Sequence, residues 1–233
     1  MLKTTWLGLT IILFFINFAY AQYGYDNRLK LEIKPYVWMT SMNGDATVQG
    51  VTRPINFTLE DYYNSSNLGL NGKIELRKKR FGILFDWNNV DLHKDQSNID
   101  LSILEVCLIY RVYKNLEILA GGRYIRTKIK YRDAPDQPVE GNEKWTDPII
   151  GGRISWDISK HFIFLARADI GGFGAGSDFE WNLMGGVGYR LANITFLASY
   201  RLWYARYEKG SNDNQFIYDI TTSGPDLGMV LNF

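Results

Sequence analysis

From residue 28 onward the chain alternates apolar and polar side chains with a period of two. Leu29, Leu31, Ile33, Val37 and Met39 fall on one face of the first such segment, and Lys30, Glu32 and Lys34 fall on the other. Only an extended strand sets residues i and i+2 side by side on one face. The pattern is cleanest where Phe179, Trp181, Leu183, Val187, Tyr189 and Leu191 alternate with Asp178, Glu180, Asn182, Gly186, Gly188 and Arg190. The next segment repeats it, with Ile194, Phe196, Ala198, Tyr200, Leu202 and Tyr204 opposing Thr195, Ser199 and Arg201. Likewise Phe162, Phe164, Ala166, Ala168 and Ile170 oppose His161, Arg167 and Asp169. Turn-forming residues divide the chain into about ten strands, spanning 28–42, 66–79, 81–91, 98–112, 116–131, 145–157, 161–173, 178–191, 194–207 and 215–233. Alternation is blurred in the fourth and fifth.

The connections alternate in length. Short ones fall near Lys78–Arg80, Tyr113–Asn115, Ser159–Lys160 and Ala192–Asn193. Long ones fall near Asn43–Asn67, Lys94–Ser97, Arg132–Lys144, Gly174–Ser177 and Glu208–Asn214. These strands are far longer than the usual ~5–6 residues, and short turns on one side with long loops on the other are the habit of transmembrane barrels. Beyond the first residues the sequence has no run of ~18 apolar residues that could cross a bilayer as a helix, and the other spanning solution is a closed barrel. The expected fold is therefore all-β, an antiparallel up-and-down transmembrane β-barrel of ten strands. Eight stays open if two segments belong to loops. A soluble calyx shows the same alternation, but strand length and loop asymmetry favour the membrane barrel.

The start of the chain reads as an export address. Lys3 supplies a basic region, Leu7 to Phe18 is apolar, and Ala19-Tyr20-Ala21 offers a cleavage site, so residues 1–21 are expected to be a signal peptide and residues 22–233 the barrel. Lys and Arg total 26 against 25 Asp and Glu, a formal net charge of +1, which gives no field to hold nucleic acid. Mean hydropathy is −0.19 although 46% of residues are hydrophobic, as expected when apolar positions are interleaved with polar ones. A single cysteine, Cys107, excludes an intrachain disulfide framework and a cysteine-based zinc site. Two histidines far apart in sequence offer no multi-histidine metal site, and no cofactor is expected.

Several stretches resemble a family of small, largely uncharacterised outer-membrane β-barrel proteins of Gram-negative bacteria. They are Pro35-Tyr36-Val37-Trp38, Trp145-Thr146-Asp147-Pro148-Ile149-Ile150-Gly151-Gly152-Arg153, Gly171-Gly172-Phe173-Gly174-Ala175-Gly176-Ser177-Asp178, Tyr200-Arg201 and Gly224-Pro225-Asp226-Leu227-Gly228. The resemblance implies architecture and an outer-membrane location, and carries no activity. The final strand, closing on Phe233, resembles the signal by which outer-membrane barrels engage their assembly machinery. Outer-membrane lipid is the other expected partner, met by the outward aromatics Trp87, Tyr124, Trp156, Trp181, Tyr189, Tyr204 and Phe233.

Candidate chemistry lies first in the lumen, where Glu105, Arg111, Glu117, Arg123, Asp147, Arg153, Arg167, Asp169, Glu180, Arg190 and Arg201 make a nearly balanced set of charges. Confined charges must pair to offset their desolvation, so a structural network is expected, with a narrow polar pore as its rival. Asp91, His93 and Asp95 share a face at the outer end of the third strand and resemble the Asp/His sites of omptin-type surface proteases. No second acidic pair accompanies them, and a solvated loop edge is the plainer reading. Gly171 to Gly176 leads into a strand, where a phosphate loop would open a helix. Arg77-Lys78-Lys79-Arg80 reads as a solvated basic turn. The expected function is a non-enzymatic outer-membrane barrel, structural or a narrow pore for small solutes. The alternatives are a surface hydrolase using Asp91 and His93, or a barrel binding a ligand through its outer loops.

Overall fold

The computed structural model describes residues 28–65, 69, 71–94, 97–134 and 137–233. The expected leader, residues 1–21, and Asp95 lie outside the described residues. The elements are β1 (Leu29–Trp38), β2 (Ser41–Val48), β3 (Val51–Phe57), α1 (Leu59–Asn64), β4 (Asn71–Lys78), β5 (Phe81–Lys94), β6 (Ser97–Tyr113), β7 (Leu116–Ala134), β8 (Gln137–Asp157), β9 (Phe162–Gly171), β10 (Phe179–Leu191), β11 (Ile194–Lys209) and β12 (Phe216–Asn232). All neighbours pair antiparallel, and β1 closes the sheet on β12 through pairs such as Glu32 with Asn232 and Trp38 with Asp226.

The barrel is ten-stranded, with its first two strands each broken in the middle. β1 lies against the second half of β12, and β2, continuing β1 after a kink at Met39 and Thr40, lies against the first half. At the kink the Met39 amide donates to the Pro225 carbonyl at 2.9 Å. A Cβ on Gly224 would sit 1.8 Å from the Met39 carbonyl oxygen, so this crossing requires glycine. β3 returns along β2, and after α1 the chain resumes as β4 beside β1 and β5.

Two expected loops are therefore corrected. Asn43–Asn67 holds β2, β3 and α1, and Arg132–Lys144 lies largely within β7 and β8. The reason is a reversal of polarity along the strands. In the half carrying the short turns, apolar side chains face outward: Leu108, Ile118, Ile154, Val187 and Phe196 are exposed. In the half carrying the long hairpins, the apolar side chains turn inward, so that Ile99, Ile125, Ile129, Trp145 and Tyr218 form one buried cluster with Trp38, Met42 and Trp203. Arg126, Lys128 and Lys130 take the outer positions of β7 there, at half-buried or exposed sites. A polar segment with a few inward apolar residues reads as loop. The same switch blurs the alternation of β6 and β7.

Two aromatic rings bound the exposed apolar band. Trp87, Tyr124, Trp181 and Tyr204 mark its upper margin, with Trp181 stacked on Tyr204 at 6.0 Å. Phe81, Trp156, Phe162, Tyr189 and Phe233 mark the lower, with Phe162 against Tyr189 at 5.2 Å. On β10 the eight-residue step from Trp181 to Tyr189 spans roughly 27 Å at ~3.4 Å per residue, which the usual strand tilt of ~35–45° reduces to about 20 Å. No helix among the described residues is long and apolar enough to cross a membrane.

The polarity reversal leaves a seam. Among the described residues β3 and β5 are not paired, and α1 fills the gap. Thr58 and Asp61 cap the helix reciprocally, and Tyr62 is buried against the core. The free edge of β5 is satisfied by side chains: the Asn89 amide donates to Asn71 Oδ1 at 2.8 Å, and the His93 amide donates to Ser65 Oγ at 3.0 Å. Lys94 Nζ closes the seam by donating to Asp61 Oδ2 at 2.9 Å and to the Asn56 carbonyl at 3.2 Å.

Candidate functional site

Because every second residue points inward, charges spaced by two on neighbouring strands meet inside a closed barrel. At mid-height Glu105 on β6, Arg123 on β7, Arg167 and Asp169 on β9, and Glu180 on β10 form one network. Arg123 is fully buried, and its guanidinium contacts Glu105 at 2.8 Å, Asp169 at 2.7 Å and Glu180 at 3.0 Å. Arg167 contacts Glu105 at 2.7 Å and Asp169 at 2.8 Å. Asn182 donates to Asp169, and Trp203 Nε1 donates to Glu180 at 2.9 Å. Forked guanidiniums suit this bridging, since their donors diverge in a plane toward several carboxylates.

A second network lies nearer the short turns. Arg153 makes paired contacts to Glu75, both at 2.9 Å, and reaches Glu117 at 2.7 Å. Arg77 contacts both Glu75 and Glu117, and Arg111 Nε donates to Glu117 at 3.0 Å. A third group occupies the wall of β1, β4, β5 and β12: Lys34 with Asp226 at 2.6 Å, Tyr36 donating to Asp86 at 2.6 Å, Lys73 with Asp86 at 3.2 Å, and Asn88 donating to Tyr36.

Eight of the eleven charged residues singled out from the sequence thus fall into the first two networks. The other three do different work. Asp147 accepts from the Ser177 amide at 2.6 Å, from Ser177 Oγ at 2.7 Å and from Trp145 Nε1 at 3.0 Å, fixing the β9–β10 loop over the barrel. Arg201 lies over the Trp38 ring at 4.6 Å and donates to Asn182. Arg190 sits at the short-turn rim, paired with exposed Asp157 at 2.7 Å. Sequence reasoning left Glu75, Asp86, Asp226, Tyr36 and Asn88 out, and read Arg77 as part of a turn. Their period-two positions carried the signal, but only the pairing of β1 with β4 and β12 shows which strands bring them together.

Above the mid-height network the interior is apolar and filled. Trp38, Met42, Leu92, Ile99, Ile125, Trp203 and Tyr218 are each essentially inaccessible. Below it, a cavity of about 480 Å³ opens at the short-turn end.

The remaining candidate lies outside the barrel. Asp91 and His93 occupy the outward face of β5, with His93 Nδ1 3.2 Å from Asp91 Oδ1, and Asp100 stands across from Asp91 on β6. One ligand atom from each lies within 4.8 Å of the others. Burial and a hydrogen bond with Asp91 raise the Asp100 carboxyl above the ordinary aspartate range. The group forms no cleft with the luminal charges, which point to the other face of the wall.

No protein-family model matches the chain, and no curated protein matches it. Among solved structures, the chain is similar to the outer membrane protease OmpT from Escherichia coli, with a TM-score of 0.60 and 9% identity over 91% of this chain and 99% of that one. It is more loosely similar to Ail, the attachment invasion locus protein of Yersinia pestis, with a TM-score of 0.36 and 10% identity over 89% and 100% of the two chains. The fold is that of an outer-membrane β-barrel.

Proposed function

We propose that this chain is an exported, non-enzymatic outer-membrane barrel that conducts no solute and acts as a structural or binding element. The short turns face the periplasm and the long hairpins face outward. The observation that carries this reading is the lumen: a fully buried ion network at mid-height lies beneath a filled apolar interior. An open channel needs a continuous wet path, and Arg123, Trp38 and Trp203 each have no accessible surface. The membrane setting is supported by the apolar outer band between two aromatic rings, over the half of the wall whose inner face is charged. OmpT is described as a protease, but an overall fold likeness does not carry catalytic residues with it. Asp91, His93 and Asp100 offer a water no enclosed site.

Refolded protein in a planar bilayer tests the proposal. Heat-modifiable gel migration establishes that the barrel has formed. A silent bilayer is expected, and discrete conductance steps would replace the closed barrel with the narrow pore.

A further inference from the structure

The cavity at the short-turn end has two unlike walls. Ile163, Leu165, Met184, Leu197 and Val230, from β9 to β12, make one side apolar, with Thr195 and Arg190, the latter paired to Asp157, also lining it. Glutamate, lysine and arginine side chains from β1, β4 and β6 to β8 make the other side charged. Such a surface is not needed to close the barrel, since the mid-height network already does so. Its volume of about 480 Å³ falls in the usual range of ligand pockets.

The charged wall is incompletely matched. Arg77, Arg111 and Arg153 share two carboxylates, Glu75 and Glu117. Arg111 uses only its Nε in doing so, and about a third of its side chain is exposed. Glu32 also lines the cavity, directly across from Glu75 in the β1–β4 pairing. Like charges in such a pair destabilise a sheet. Glu75 is held by Arg153 and Arg77, whereas among the described residues Glu32 makes no hydrogen bond or ion pair. The cavity therefore presents a surplus guanidinium, a carboxylate that Arg77 and Arg153 attract without a direct ion pair, and an apolar wall facing both.

We infer that this cavity is a binding site for a single-chain zwitterionic amphiphile, whose phosphate meets Arg111, whose ammonium meets Glu32 and whose acyl chain lies on the wall of Met184, Leu197 and Val230. A plain anion would leave Glu32 unmatched, and a plain cation would leave the guanidinium surplus. A zwitterion satisfies both without adding net charge to a confined space. The inference rests on the closed-barrel reading only in that the cavity has one mouth.

The test uses full-length mature protein refolded and exchanged into amphipol, with retention measured by native mass spectrometry. The probes are lauroyl-lysophosphatidylethanolamine, laurate and dodecylamine. Wild type is expected to hold one lysophosphatidylethanolamine at a concentration about tenfold lower than either other probe. Leu197→Trp fills the apolar wall and is expected to abolish retention of all three. Met184→Phe makes the same test from another strand, and heat-modifiable migration verifies that each variant has folded. Glu32→Gln is expected to shift preference toward laurate, and Arg111→Gln toward dodecylamine. Equal retention of the three probes, or unchanged retention in the folded Trp and Phe variants, would overturn the site and assign the amphiphile to the outer wall. Conductance steps would overturn the closed barrel while leaving this retention pattern intact, so the two failures are distinguishable.

Discussion

Removing Arg123 should be among the most damaging single changes in the barrel. Its guanidinium bridges Glu105, Asp169 and Glu180 at full burial. Arg123→Met keeps similar bulk but leaves carboxylates without their cation, a class of change that costs about 3–5 kcal/mol. The three acids do not share that cost evenly. Glu105 and Asp169 each retain Arg167, at 2.7 and 2.8 Å, whereas Glu180 is left with the indole of Trp203. Most of the loss therefore falls on Glu180. Adding Glu180→Gln to Arg123→Met should recover the larger share, and adding Glu105→Gln should recover little. Arg123→Lys should be intermediate, since one ammonium cannot hold three divergent acids. Urea titration of folding into lipid vesicles, read by gel migration and tryptophan fluorescence, measures each difference. A loss below about 1 kcal/mol for Arg123→Met, or equal rescue by the two glutamine variants, would refute the assignment.

Three further outcomes follow from the geometry. Trp203→Ala, which empties an inaccessible site in the upper interior, should cost about 3–5 kcal/mol in the same titration. Gly72→Ala should drive Trp87 from the position it takes across the β4–β5 pair, because the new Cβ would lie 2.0 Å from its ring; quenching of Trp87 by brominated lipid would change. The seam at α1 should loosen in acid. The Thr58 amide first, and then Lys94, hold the Asp61 carboxyl below its ordinary range. A depressed folded value gives stabilisation that is complete above the unfolded value of ~3.9 and is lost as pH falls through the folded one. Hydrogen exchange of α1 and the upper part of β5 should therefore accelerate below about pH 4, and Asp61→Asn should remove that dependence.

The legible part of the fold was the part immersed in the apolar band. From Phe162 to Tyr204 the outward positions are continuously apolar, and strands 161–173, 178–191 and 194–207 differ from the observed β9, β10 and β11 only at their ends. Where the walls leave that band, the inward residues become the apolar ones, and a reading tuned to one polarity sees a loop. Asn43–Asn67 was hidden further by Gly44, Pro54 and the break at α1, which interrupt the period. The candidate network was legible as composition and parity: Glu105, Arg123, Arg167, Asp169 and Glu180 all have the inward parity of their strands. Which charge meets which depends on the stagger between strands. That offset brings Arg123 to Glu180 and gives Asp147 to the Ser177 loop, and no single strand's pattern encodes it.

The reversal of polarity along the walls has a consequence for assembly. In an ordinary sheet one buried face fixes the register, because a slip by one residue turns every side chain over. Here a slip in β7 would carry Glu117 and Arg123 toward the apolar surroundings at one end, and at the other would bury Arg126 and Lys128 while stripping Ile125 and Ile129 from the core. Two solvents of opposite character thus reject the same error independently, so the facing of the strand is fixed from both ends, while its stagger is left to the strands beside it.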